Sequence, residues 1–130
     1  MSSGERRVVR VSDALATDAT YDLVLVTVLA PQVGAVLPAV GMSAARKVMF
    51  MFNTFEALAP LEEAVGKERF VMGFPGGVFT LLEEGRIAPQ IRGGTTVSDA
   101  TWADVFSAAG IPTTVEPDMQ SWLRSHAALV

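Results

Sequence analysis

From Leu23 to Ala45 the chain carries no Asp, Glu, Lys or Arg. A run of that length without charge must be buried, either in a protein core or in a bilayer, where about 20 apolar residues suffice to span. The run also holds Pro31, Pro38, Gly34, Gly41, Gln32 and Ser43, breakers that a buried strand running into a helix explains better than one continuous span. Its first part, LVLVTV, is short and β-branched. That is the signature of a strand buried on both faces, as in a parallel sheet, rather than of a long helix. A membrane-associated protein using Leu23–Ala45 is the weaker reading, and no membrane partner is expected.

The neighbouring segments repeat the alternation. Val8–Val11 reads as a short strand and Leu23–Val28 as the first buried one. Pro31 suits the first turn of a helix, Val33, Val36, Leu37 and Val40 form its apolar face, and Gly41 is a natural stop. Lys47–Phe52 is the second buried strand. Phe55–Val65 reads as a helix ended by Gly66, and Phe70–Gly73 as a third strand. Strand, helix, strand, helix, strand predicts an α/β fold with a parallel sheet.

Beyond it, Val78–Leu82 and Arg86–Ile91 read as a hairpin joined by Glu83-Glu84-Gly85, followed by a Gly93-Gly94 turn. Ser98 is the expected cap of a helix carrying Trp102, Val105, Phe106 and Ala109, closed by Gly110. Ile111–Val115 is a further strand. Asp118 caps a last helix with Met119, Trp122, Leu123, His126 and Val130 on one face. That face runs to the final residue, so the chain reads as a piece of a longer architecture whose next domain would cover it.

Composition excludes several functions. Charged residues make up 18% of the chain, against roughly 25% in an ordinary domain, with 50% hydrophobic, so global disorder is excluded. A net charge of -4 leaves no electrostatic footprint for nucleic acid. With no cysteine and a single histidine, His126, neither disulfides, thiolate chemistry nor a histidine-rich metal site is expected. MSSGERRVVR has no apolar core of a secretion signal, which predicts a cytoplasmic protein. There is no G-x-G-x-x-G, Walker loop, G-x-S-x-G or H-E-x-x-H. Glu62-Glu63 and Glu83-Glu84 are adjacent pairs that diverge in space and read as solvated surface.

What remains is geometric. Ligands of parallel α/β sheets bind outside the carboxyl ends of the strands. Those ends are Val28-Leu29-Ala30, Asn53-Thr54-Phe55 and Phe74-Pro75-Gly76-Gly77. Asn53, directly after MFMF, is the one strong polar side chain at such an end. It either meets a ligand there or caps the following turn or helix. Gly76-Gly77 either lets backbone approach a ligand or makes a plain turn. His126 lies among Met119, Trp122 and Leu123 and reads as packed. Arg124 sits about 200° around the helix from Trp122, facing a cleft or solvent.

The runs YDLVLVTVLAPQV and MFMFNTFEALAPLEEAVGKERFVMGFPGG, then the hairpin, then MQSWLRSHAALV, together resemble the ketopantoate reductase (2-dehydropantoate 2-reductase) family. The resemblance covers the chain from about Val8 onward. It implies an incomplete Rossmann-type domain over residues 1–117, the β-hairpin included, and the first helix of a helical C-terminal domain over 118–130. It implies an oxidoreductase of the pantothenate pathway that reduces 2-dehydropantoate or a related 2-keto acid with an NADP cofactor. By the same comparison Asn53 is catalytic and lies beside the nicotinamide, with Thr54 where the family usually has glycine. Leu29 stands at a cofactor-contacting position usually held by lysine, and Gly77 or Val78 at a loop that touches the cofactor. Arg124 occupies the place of the catalytic lysine, and Ala128 that of a substrate-binding asparagine. Arginine stabilises an alkoxide but is a poor acid at neutral pH, which points away from ketopantoate itself. The rival reading is a non-catalytic binding or oligomerisation module derived from such an enzyme. A homo-oligomer is expected, through either the uncharged Leu23–Val28 strand or the last helix.

Overall fold

The computed structural model describes residues 8–83, 86–91 and 93–129. Three parallel strands, β1 (Leu23–Val26), β2 (Lys47–Met51) and β3 (Phe70–Phe74), form one half of a sheet. Helix α1 (Val33–Met42), entered through a 3-10 turn at Ala30–Gln32, connects the first pair, and α2 (Ala59–Val65) the second. The hairpin β4 (Val78–Glu83) and β5 (Arg86–Ile91) is a separate antiparallel pair. The chain returns as β6 (Thr95–Val97), antiparallel to β3, then α3 (Ala100–Ala108), β7 (Thr113–Val115) parallel to β6, and α4 (Met119–Leu129). The five-stranded order is β1-β2-β3-β6-β7, an α/β, Rossmann-like arrangement with one antiparallel step.

Side-chain alternation along β2 and β3 builds a core on each side of the sheet. Val48, Phe50, Phe52 and Met72 point to the α1–α2 side, where Val40, Leu61 and Val65 meet them. Met49 and Val71 point to the other, against Val97 and Ala103. Gly41 does not end α1 but lies inside it. A Cβ there would come within 2.8 Å of the Ala64 carbonyl oxygen, so the glycine lets α1 and α2 touch backbone to backbone. Gly66, at φ 86°, ends α2 as expected.

The end of α1 is finished from far along the chain. Its last turn has no basic residue of its own. The Arg69 guanidinium, just ahead of β3, donates through Nε to Ala45 O at 2.9 Å and through its terminal nitrogens to Gly41 O, Val40 O and Ser43 O at 3.2, 3.3 and 2.9 Å. It also reaches Ser43 Oγ at 3.1 Å. One cation thereby satisfies carbonyls that a helix C-terminus leaves open and complements its negative end.

Several sequence expectations are corrected. Val8–Val11 is not a strand; its valines are exposed and pair with nothing described. β1 stops at Val26 rather than Val28, and it is not buried on both faces, with Leu25 47% exposed; among the described residues it pairs with β2 alone, the open edge expected of this strand. α2 begins at Ala59 rather than Phe55, because residues 54–58 are held in a loop. β6 was not foreseen: three residues after a glycine pair give too short a pattern. Asp99, not Ser98, caps α3, accepting from Trp102 N at 3.2 Å. Ser98 instead extends the β3 ladder, its N–H donating to Met72 O at 2.8 Å and its Oγ accepting from Met72 N at 3.0 Å. β7 begins at Thr113.

Asp118 starts α4 as expected, accepting from Ser121 N at 3.1 Å, and hydrogen bonds from Ser121 hold its carboxyl below the usual range. Part of the apolar face of α4 is covered within this chain. Met119 is 2% and Leu123 0% exposed, both in the α1–α2 core. No described helix is long and apolar enough to cross a membrane, and Leu23–Ala45 divides into strand and helix. Glu84 and Gly85, where the hairpin connection is expected, lie outside the described residues, as do the first seven residues, Arg92 and Val130.

Arg69→Met is expected to destabilise the domain by about 3 kcal/mol, since it removes charge-assisted bonds and leaves carbonyls unpaired. Arg69→Lys should recover less than half, because a point charge cannot span four carbonyls. Urea denaturation of the three proteins measures both.

Candidate functional site

Because β1, β2 and β3 are parallel neighbours, their carboxyl ends open on one edge of the sheet. The loops there are Thr27–Leu29, Phe52–Leu58 and Pro75–Gly77. Asn53 is exposed in the middle loop, and no side-chain hydrogen bond to another described residue ties it down. It is neither of the structural alternatives. The turn is closed by Thr54, whose Oγ1 accepts from Glu56 N at 3.0 Å, and α2 starts six residues after Asn53. Its amide is left with two donors and an acceptor for a ligand.

This loop is held by α4. Gln120 Oε1 accepts from Leu58 N at 2.8 Å, and Gln120 Nε2 donates to Glu56 O at 3.1 Å. One turn further on, Arg124 Nε donates to Phe55 O at 3.4 Å. Residues four apart share a helix face, so α4 presents Gln120 and Arg124 together. Arg124 is therefore brought to the loop that carries Asn53. Its terminal nitrogens hydrogen-bond no other described residue and face solvent. Gln120 was not singled out from sequence; its place one turn before Arg124 was the available signal.

The other candidates fare differently. Leu29 is 69% exposed, and its backbone is used locally: its N–H donates to Gln32 Oε1 at 3.0 Å and its carbonyl accepts from Gln32 N at 2.8 Å. It offers a ligand only apolar contact. Gly77 is exposed on the same edge. Gly76 is neither a ligand approach nor a plain turn: a Cβ there would sit 2.2 Å from Gly94 O, so the glycine packs two loop backbones together. His126 is packed, as expected. It stacks on Trp122 at a centroid distance of 4.9 Å and an interplanar angle of 7°, with Phe74 4.5 Å away.

Asn53 stands on the loop after β2, Arg124 is bonded to the backbone of that loop, and Leu29 follows the neighbouring strand β1. The edge does not fit a whole dinucleotide. The helix after β1 opens on Leu29, Ala30 and Pro31, with no glycine and, at Pro31, no N–H. That is not a pyrophosphate cradle. A cavity of about 210 Å³ between Ala30, Phe52, Thr54 and Leu61 is also below the size of a cofactor pocket. No cluster of metal-ligating side chains occurs among the described residues.

Gln120→Ala is expected to raise the exchange rate of the Leu58 amide about tenfold, the equivalent of one hydrogen bond. The Val48 amide in β2 should be unaffected. Hydrogen exchange read by NMR checks both.

The comparisons with known proteins bear on this edge. A family model described as ketopantoate reductase PanE/ApbA matches residues 2–102. Leu29, Asn53 and Gly77 lie inside the match and Arg124 beyond it. No curated protein sequence matches. Among solved structures, a dimeric ketopantoate reductase from Staphylococcus aureus is similar with a TM-score of 0.59 at 14% identity, over 83% of this chain and 37% of that one. A D-mandelate dehydrogenase, in a ternary structure with NADH and anilino(oxo)acetate, is similar with a TM-score of 0.56 at 17% identity, over 78% and 36%. The chain thus spans little more than a third of these solved proteins, and at such identities the likeness concerns fold.

Proposed function

The chain belongs to the ketopantoate reductase PanE/ApbA family, and from that premise we propose that it carries the carbonyl-binding edge of an oxidoreductase that reduces a 2-keto acid with NADPH. The observation that carries this reading is the grip of Gln120 and Arg124 on the loop holding Asn53. It gives one edge two complementary groups. The Asn53 amide donates to the keto oxygen. The Arg124 guanidinium pairs with the carboxylate or steadies negative charge growing on that oxygen. Arg124 stays protonated throughout, so the proton that completes the alcohol comes from solvent. The proposal takes 2-keto acids related to 2-dehydropantoate as substrates, in a cytoplasmic reaction on or near the pantothenate pathway, on the strength of the family match.

In this reading residues 1–117 are a partial dinucleotide-fold unit, and 118–130 the root of a helical one. The second reading, a non-catalytic module, is favoured by Leu29 and Ala128, apolar and exposed where lysine and asparagine are usual in the family.

Two measurements test the reading. Titration of 2-oxoisovalerate into the labelled chain should shift the Asn53 side-chain amide and Arg124 Nε resonances, with millimolar affinity. Asn53→Ala or Arg124→Gln should each weaken it about fivefold, the scale of one hydrogen bond. No shift at either residue would favour the non-catalytic module. NADPH should bind this chain with a dissociation constant above roughly 100 μM, for want of the glycine-rich turn. Calorimetry giving low-micromolar binding would show that another loop holds the phosphates.

A further inference from the structure

The loop after β2 is held in two places. Gln120 grips its second half, at Glu56 O and Leu58 N. Its first half, beside Asn53, is closed by the Thr54 hydroxyl, which accepts from Glu56 N at 3.0 Å. A threonine that bonds the N–H two residues on makes a common turn, which by itself concerns no ligand. The bonded N–H, however, shares one peptide unit with the Phe55 carbonyl, and that carbonyl is the one Arg124 Nε reaches at 3.4 Å.

We propose that Thr54 is a positioning residue for Arg124, acting through the rigid peptide unit between Phe55 and Glu56. Its use in ligand binding rests on the oxidoreductase reading; the positioning itself does not.

A trans peptide unit is planar, with its N–H and C=O pointing to opposite sides. Fixing one end therefore fixes the direction of the other. Thr54 Oγ1 holds the N–H side, so the carbonyl is turned toward α4, where Arg124 meets it. The side chains of the unit do not anchor it: Phe55 is 60% exposed and Glu56 is exposed as well. Thr54 can, being only 8% exposed and lining, with Ala30, Val33 and Phe52, the cavity of about 210 Å³ between α1 and this loop. A β-branched side chain so confined has little freedom at χ1, and its hydroxyl keeps one place. The bond to Arg124 is a long one, so it steers the guanidinium only where the carbonyl already faces it. Accepting from the N–H also polarises the unit and makes its carbonyl a better acceptor.

Spending Nε on Phe55 decides what Arg124 offers outward. The terminal nitrogens keep their N–H groups, and the edge they form matches the two oxygens of a carboxylate. A guanidinium free to swing presents either of its edges. Thr54 thereby selects the edge, and fixes it relative to Asn53, the residue just before it.

The exchange of the Arg124 Nε–H with water, read by NMR on the labelled 130-residue chain without ligand, tests the positioning. Thr54→Val keeps the branched shape and removes the hydroxyl; it should speed that exchange about threefold, the scale of one weak hydrogen bond. Thr54→Ser, which keeps the hydroxyl, should restore the original rate. The Leu58 amide, held by Gln120, should be unchanged in both variants. An unchanged Arg124 rate in Thr54→Val would overturn the proposal. So would failure of serine to restore it, or an equal rise at Leu58, which would make Thr54 a support of the whole loop. In the bound state, Thr54→Val should weaken 2-oxoisovalerate about threefold, and not at all in the presence of Arg124→Gln. Equal weakening in both backgrounds would mean that Thr54 acts without Arg124, and overturn the proposal too. If the unaltered chain does not bind 2-oxoisovalerate, the oxidoreductase reading fails, and the exchange rates alone decide the role of Thr54.

Discussion

The fold turns on one guanidinium. Arg69 stands at the junction of α2 and β3, yet its bonds go to the junction of α1 and β2. Each strand–helix unit must end its helix and re-enter the sheet in register. Here the second unit supplies the finish for the first, and the sheet registers Val48 against Phe70 beside it. The Val48 N–H donates to Arg69 O at 2.8 Å, so the same residue closes the ladder with its backbone and the helix with its side chain. Removing the cation would loosen the entry to β2, and with it the strand whose far end carries Asn53.

Much of this was legible. Three short apolar runs separated by helical patterns identified the parallel strands, and Gly66 and Asp118 marked helix boundaries correctly. What was not legible depends on tertiary partners. LVLVTV has the composition of a strand buried on both faces, but burial belongs to what packs on each face and not to the residues, and Leu25 is left 47% exposed. Gly41 looked like a stop because a glycine needed for a positive φ and one needed for close approach are alike in sequence. VVRV has strand propensity without a strand beside it, and propensity alone does not make a sheet.

The candidate edge divides the same way. That ligands would meet the ends of β1, β2 and β3 followed from the alternation alone, and Asn53 from its being polar where the strand stops. Gly77 drew notice as half of a double glycine at a strand end, whereas the roles expected of Leu29 and Arg124 came through family resemblance. Helical geometry placed Arg124 opposite Trp122 but could not say what stood there. The answer, the loop after β2, needed the docking of α4 through Met119 and Leu123.

The two bonds of Gln120 join residues 62 and 64 positions apart. Contacts of such separation form late, since a long loop must close before they add anything. During synthesis the strands β1 to β3 emerge first, while the loop after β2 waits unfinished for a helix that leaves the ribosome well after them. A nascent chain paused before residue 120 would thus hold its strands and still lack an ordered Asn53 loop. Assembly of the candidate site thus trails the sheet that carries it.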